Sequence, residues 1–264
     1  MWIDSHCHLD AAPFIGHVAK VVDLARERGV SHIIIPSTER ARFANVFKIA
    51  HTVSICSYAL GIHPLCVALS SEADLDTLEI MVQEKLQDKR FVAIGEIGLD
   101  FYQLDPNDSV TREKQEYFFC RQLKIAKKYH LPVLLHTLRS VDSVLKYLHQ
   151  YGISSGIAHA FNGSLQQAKA YISQGFKISF CGTVTYERAH QRRLLAMELP
   201  IDAIVVETDA PDLPPFWRNK KENSPAELPR IADIIANLRG ISSKELARAT
   251  SQNVISVLPR LRVL

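Results

Sequence analysis

The chain has 264 residues and a formal net charge of +3, with 47% hydrophobic and 22% charged residues. That profile excludes a disordered or fibrous chain and gives no bulk electrostatic ground for a nucleic-acid or membrane partner. Its five cysteines (Cys7, Cys56, Cys66, Cys120, Cys181) are odd in number and far apart, which excludes a disulfide framework or a CxxC metal clip.

No basic start followed by an apolar run opens the chain, and no stretch of about 18 uninterrupted apolar residues occurs. A cytoplasmic protein with free thiols is therefore expected, with nothing pointing to an obligate protein partner. In chain order, β-rich apolar runs fall at Trp2 to Ser5, His32 to Pro36, Ser54 to Ala59, Phe91 to Gly95, Pro132 to His136, Ser155 to His159, Lys177 to Phe180 and Ala203 to Glu207. Apolar residues at three- and four-residue spacings predict helices between them, as at Arg112 to Tyr129 and Val141 to Tyr151. Two further helices, near Pro225 to Leu238 and Ser242 to Ser256, follow the eighth strand. Eight β-α units over this length predict an α/β fold of the (β/α)8 TIM-barrel type. No linker or composition break divides the chain, so residues 1–264 read as a single barrel domain.

Strands in such a barrel converge at their C-terminal ends on one mouth, where active sites are built. Strand one ends in His6 and His8, strand four at Glu96, strand five at His136, strand six at His159 and strand eight at Asp209. Side chains two apart on a strand share a face. His6 and His8 then point inward together while Cys7 points out. The same alternation places Glu96 with Ile94 and Val92, and Asp209 with Glu207 and Val205. A lone strand-end histidine is ordinarily a core-edge residue. Four histidines and two carboxylates on one rim are hard to obtain from core packing, and they suffice for two divalent ions such as zinc, manganese or magnesium. A bridging carboxylate would hold two ions close enough to draw a nucleophile from water and stabilise a leaving oxygen, the chemistry of phosphoester cleavage.

Lesser candidates surround this set. His63 in "GIHP" is a candidate substrate contact or a loop former beside Pro64, and Glu207 and Asp4 read as hydrogen-bond partners behind the ligands. Arg218 to Lys221, "RNKK", reads first as a solvated loop and otherwise as a phosphate attractor. The remaining histidines carry no expected chemistry.

The ordered set "IDSHCHLD", "GIHP", "GEIGLDFY", "QEYFFCRQLKIAKKYHLPVLLH", "HAFNGS", "ETDAPDL", "NSPAEL" and "TSQNVISVL" spans nearly the whole chain. It resembles the TatD-type metal-dependent hydrolases, within the amidohydrolase-like barrel superfamily, and "HTLRS" and "GSLQQA" look nearest the YjjV-like branch. The resemblance implies two divalent metals (zinc, magnesium or manganese) and cleavage of phosphodiesters, including 3′ exonuclease action on single-stranded DNA. By motif it implies that His6, His8 and Asp209 hold one metal, His136 and His159 the other, and that Glu96 bridges. It further implies that Asp209 is catalytic, orienting water and taking its proton, and that His63 lies by the scissile phosphate. One departure stands out. The family's H-x-R pattern would put arginine where Leu138 stands, and Arg139 follows it as the candidate phosphate contact.

Two other readings share the barrel. One is an amidohydrolase acting on a C–N or lactone bond, against which "FVAIGEIGLD" offers Glu96 but no lysine to be carbamylated. The other is a metal-stabilised scaffold without turnover, against which stands the completeness of the ligand set.

Overall fold

The computed structural model describes residues 1–102, 104, 108–219 and 221–263. Eight strands form one parallel sheet in sequence order: β1 (Trp2–Asp4), β2 (Val30–Pro36), β3 (Cys56–Leu60), β4 (Phe91–Asp100), β5 (Val133–Leu138), β6 (Gly156–Ala158), β7 (Phe176–Phe180) and β8 (Ile204–Val206). The helices are α1 (Val18–Glu27), α2 (Phe43–Thr52), α3 (Glu72–Lys85), α4 (Ser109–Lys128), α5 (Val141–Tyr151), α6 (Leu165–Ser173), α7 (His190–Glu198), α8 (Leu228–Arg239) and α9 (Ser243–Val257). The sheet curls on itself, and its seam carries backbone hydrogen bonds from Ser5 N–H to Val206 O (3.2 Å) and from Asp209 N–H to His6 O (2.9 Å). This is the expected TIM barrel.

Local chemistry sets the boundaries. α5 buries Val141, Val144 and Leu148 on one stripe and stops at Gly152, whose φ of 62° is the left-handed C-terminal cap. Ser71 with Asp74, and Ser164 with Gln167, form capping boxes at the starts of α3 and α6. An inner apolar layer of Ile3, Ile34, Ala59, Val92, Leu134, Ile157 and Val205 is continued by Val254, Val257, Leu258 and Leu261 of α9 and the tail. α9 is fastened to the start of β8 by Asn253, whose amide donates to the carbonyls of Ile201 (2.8 Å) and Ile204 (2.7 Å).

The structure corrects the expected strand four. It continues through Glu96 to Asp100, pairing Ile97 with Leu135 and Asp100 with Leu138. Gly98 is a point of close approach inside the strand: its φ is 151°, and an added Cβ would lie 2.0 Å from His136 O. The register shifts between Ile94 and Ile97. Alternation fails even earlier, because the pairing with β3 shifts between Tyr58 and Ala59 and Val92 and Ala93 both belong to the inner layer, which leaves Ile94 in the layer beneath the helices. At the other end β1 stops at Asp4, and His6 and His8 stand on the extended segment just beyond it.

Candidate metal centre

Cys7 N–H donates to Ile34 O (3.0 Å) and His8 N–H to Ala210 O (2.8 Å), so the segment after β1 is clamped between β2 and the loop after β8. The clamp turns Cys7 into the outer core, its thiol 3.7 Å from Ala210 O, and leaves both histidines facing the mouth. Asp4 braces them from below, accepting from His6 N–H (3.3 Å), Thr208 N–H (2.9 Å) and Thr208 Oγ1 (2.6 Å). Asp209 has a φ of 56°, a left-handed conformation that aspartate adopts more readily than most residues. The chain after it is held by Asn223, whose amide donates to Thr208 O at 2.7 Å.

Four atoms converge here. His6 Nε2 lies 3.1 Å from Glu96 Oε2, 3.3 Å from His8 Nε2 and 3.7 Å from Asp209 Oδ1. His8 Nε2 is 3.4 Å from Glu96 Oε2 and 3.6 Å from Asp209 Oδ1. Ligands about 2.1 Å from a tetrahedral zinc stand about 3.4 Å from one another, so these separations fit the edges of a four-ligand cage. His6 suits it chemically. Burial, aided by the neighbouring His159, pulls its pKa down to about 4, leaving a neutral ring with a lone pair to give. The orphaned buried polar atom of that ring is Nδ1, which has no hydrogen-bond partner among the described residues.

The second oxygen of Glu96 faces a second set. Oε1 lies 3.0 Å from His136 Nδ1, 3.4 Å from His159 Nε2 and 3.3 Å from His63 Nε2. The far nitrogens of two of these rings meet carboxylates: His136 Nε2 lies 3.1 Å from Asp100 Oδ2, and His159 Nδ1 lies 3.1 Å from Glu207 Oε1. Asp100 and Glu207 are placed to hold an N–H on those far nitrogens, an arrangement that would free the lone pairs of His136 Nδ1 and His159 Nε2 for an ion at the centre. His63 differs. Its Nδ1 accepts from Leu65 N–H (3.1 Å), which in the neutral ring puts the proton on Nε2. That nitrogen can donate to Glu96 or to a substrate oxygen but has no lone pair for a metal, despite its closeness to Glu96 and His136.

The electrostatics match a centre built for cations. Burial alone would raise the Glu96 carboxyl and lower His8 and His159. The surrounding histidines instead hold Glu96 well below the usual carboxylate range. Glu96 pushes His8 up to about 9, and Glu207 and Asp209 push His159 up to about 10. Burial raises the Asp209 carboxyl to about 7. Both His8 and His159 therefore carry protons at neutral pH beside these carboxylates. At neutral pH, loading both ligand sets is expected to release at least two protons, from His8 and His159. Metal affinity is expected to fall as pH is lowered. Calorimetric titration with zinc in buffers of different ionisation enthalpy measures this, and release of fewer than one proton would contradict it.

The structure thus brings together His6, His8, Glu96, His136, His159 and Asp209, with His63 beside them. These residues, apart from the deeply buried His6, line a cavity of about 350 Å³ with Arg42 at its edge. Arg139 is not among them. It is exposed and lines an adjoining groove, its guanidinium 4.6 Å from the centre of the Tyr102 ring. Of "RNKK", Arg218 is spent on the loop itself, pairing with Glu227 (3.6 Å) and donating to Glu222 O (2.9 Å), and Lys220 lies outside the described residues.

Asp100 escaped the sequence reading. It stands four residues after Glu96, and reading strand four through its glycines would have carried it to the same mouth. Asp100→Asn is expected to weaken metal binding about 10- to 100-fold by loosening His136, as measured by competition with a chelator. Unchanged affinity would count against that support. The role of "QEYFFCRQL" also emerges only in three dimensions: Gln122 accepts from Ile62 N–H (2.7 Å) to hold the His63 loop, and Gln115 accepts from Asp100 N–H (3.0 Å) to hold the end of β4.

A protein-family model described as TatD related DNase matches residues 3–259. The chain is 36% identical over 257 residues to YjjV of Escherichia coli strain K12, described as an uncharacterized metal-dependent hydrolase, covering 97% of each chain. The crystal structure of that protein superposes with a TM-score of 0.92 over 98% of both chains. Human deoxyribonuclease TATDN3 is 29% identical over 268 residues, covering 98% of this chain and 95% of the relative. Among the described residues no helix is long and apolar enough to cross a membrane.

Proposed function

The chain belongs to the TatD related DNase family of metal-dependent hydrolases, and from that premise we propose that it is a two-metal phosphodiesterase, a deoxyribonuclease acting on single strands from the 3′ end. The observation that carries this reading is the division of Glu96. Its Oε2 belongs to one ligand set, with His6, His8 and Asp209, and its Oε1 to the other, with His136 and His159. These two sets would hold two divalent ions, which would supply Lewis acidity for hydrolysis of a phosphodiester.

The chain's own residues do the rest. Asp209 uses Oδ1 in its ligand set, and among the described residues no side chain hydrogen-bonds its other oxygen, which is left to orient water and take its proton. His63 Nε2–H, at the rim of the same cavity, donates to a non-bridging phosphoryl oxygen in place of Glu96. Glu207 and Asp100 keep the ligand rings from turning.

The test is a substrate panel on metal-loaded protein. Bis(p-nitrophenyl) phosphate and 5′-labelled single-stranded DNA are expected to turn over, the DNA shortening from its 3′ end. Hydrolysis of amide or lactone substrates with no phosphodiester turnover would replace this reading by an amidohydrolase. Bound metal with no turnover of either kind would replace it by a scaffold.

A further inference from the structure

Beside the metal cavity lies a larger groove of about 850 Å³, lined by Tyr102, Arg112, Arg139, Asn162 and Arg192 among others. Three strands that bring ligands to the centre run directly into it. The chain passes from Glu96 to Phe101 and Tyr102, from His136 to Leu138 and Arg139, and from His159 to Asn162. Substrate held at the metals is therefore within a few residues' reach of the groove wall.

The wall combines cations with aromatic faces. The Arg139 guanidinium sits 4.6 Å from the Tyr102 ring centre and that of Arg112 sits 4.2 Å from Phe101. Tyr102 is 56% exposed even with Arg139 over its ring. Arg192 Nε is buried and has no hydrogen-bond partner, and among the described residues neither Arg139 nor Arg192 meets a carboxylate within ion-pair distance. Arg112 is paired with Glu116 at 3.3 Å, and the two acids of the lining are engaged, Asp108 with Thr111 N–H (2.9 Å) and Asp142 with the Gln167 amide (2.8 Å). Guanidinium groups set beside aromatic rings, with the Tyr102 ring exposed, suit a single polynucleotide strand, whose phosphates pair with cations and whose bases stack on rings. The volume lies within the roughly 300–1,000 Å³ of pockets that enclose whole small ligands.

We propose that this groove binds the nucleotides flanking the scissile phosphate, with Arg139 and Arg192 on backbone phosphates and Tyr102 stacked on a base. The assignment rests on the phosphodiesterase reading for its substrate class, and it gives the displaced Arg139 a role two residues beyond the end of the family's H-x pair.

The test is fluorescence anisotropy of metal-loaded protein with a labelled, phosphorothioate-linked single-stranded dodecamer. Arg139→Ala with Arg192→Ala is expected to weaken binding at least about tenfold and to flatten the salt dependence by about 0.7 per lost contact. Tyr102→Ala is expected to weaken it about fivefold or more. Arg28→Ala, at the far end of α1, serves as the charge control and is expected to bind like the parent protein. Arg139→Ala alone, at an exposed position, guards against a folding defect at the half-buried Arg192. Parental affinity in both arginine variants, or no binding by the parent protein, would overturn the assignment. Groove-dependent binding with no phosphodiester turnover would keep the groove and remove the hydrolase reading. Turnover of bis(p-nitrophenyl) phosphate with groove-independent DNA binding would do the reverse.

Discussion

Glu96→Gln is expected to leave less than one metal per chain and to lower bis(p-nitrophenyl) phosphate turnover by at least about 10³-fold, or about 4 kcal/mol of transition-state stabilisation. Glu96 is 2% exposed, and each oxygen is surrounded by imidazole nitrogens, three of them at 3.0, 3.3 and 3.4 Å from Oε1. Glutamine keeps the shape but replaces one oxygen with an amino group, which points two protons at nitrogen lone pairs. It also removes the only negative charge shared by the two sets. Elemental analysis with initial-rate kinetics reads both effects. A variant that keeps two tightly bound metals would show that Glu96 bridges nothing.

Asp209→Asn separates ligation from proton transfer. It is expected to lower turnover by about 10²- to 10⁴-fold, the range of a positioned general base, while the set made by His136, His159 and Glu96 Oε1 keeps its metal. The reason is geometric: Asp209 touches only the first set, at 3.7 and 3.6 Å from His6 and His8. Asparagine retains an oxygen for that set but cannot accept the proton. A variant with full metal content and near-parental turnover would assign the base elsewhere.

The barrel was legible because apolar strand runs and amphipathic helices alternate with short connections, a pattern that parallel β-α topology alone explains economically. The ligand rim was legible because strand ends in a barrel must converge, so His6, His8, Glu96, His136, His159 and Asp209 needed no long-range information beyond strand order. What stayed hidden depends on backbone irregularity. The expected strand four ends at Gly95, and only the packing of Gly95 against Leu134 and of Gly98 against His136 shows that it continues to Asp100. Alternation also misassigns the face of Ile94, because Val92 and Ala93 before it share the inner layer. Nor could sequence show that Nδ1 of His63 is taken by Leu65 N–H, the contact that separates it from the lone-pair donors around it. Sequence names Arg139 as a candidate phosphate contact but not its place; its φ is 54° and it lines the adjoining groove.

Two divalent ions, shared through Glu96, are expected to be required for phosphodiester cleavage. This requirement is tested most directly by titrating metal-free protein with manganese while recording bis(p-nitrophenyl) phosphate turnover. Activity is expected to rise with added metal and to saturate at two equivalents per chain. Saturation at one equivalent, or no phosphodiester turnover at any metal content, would contradict it.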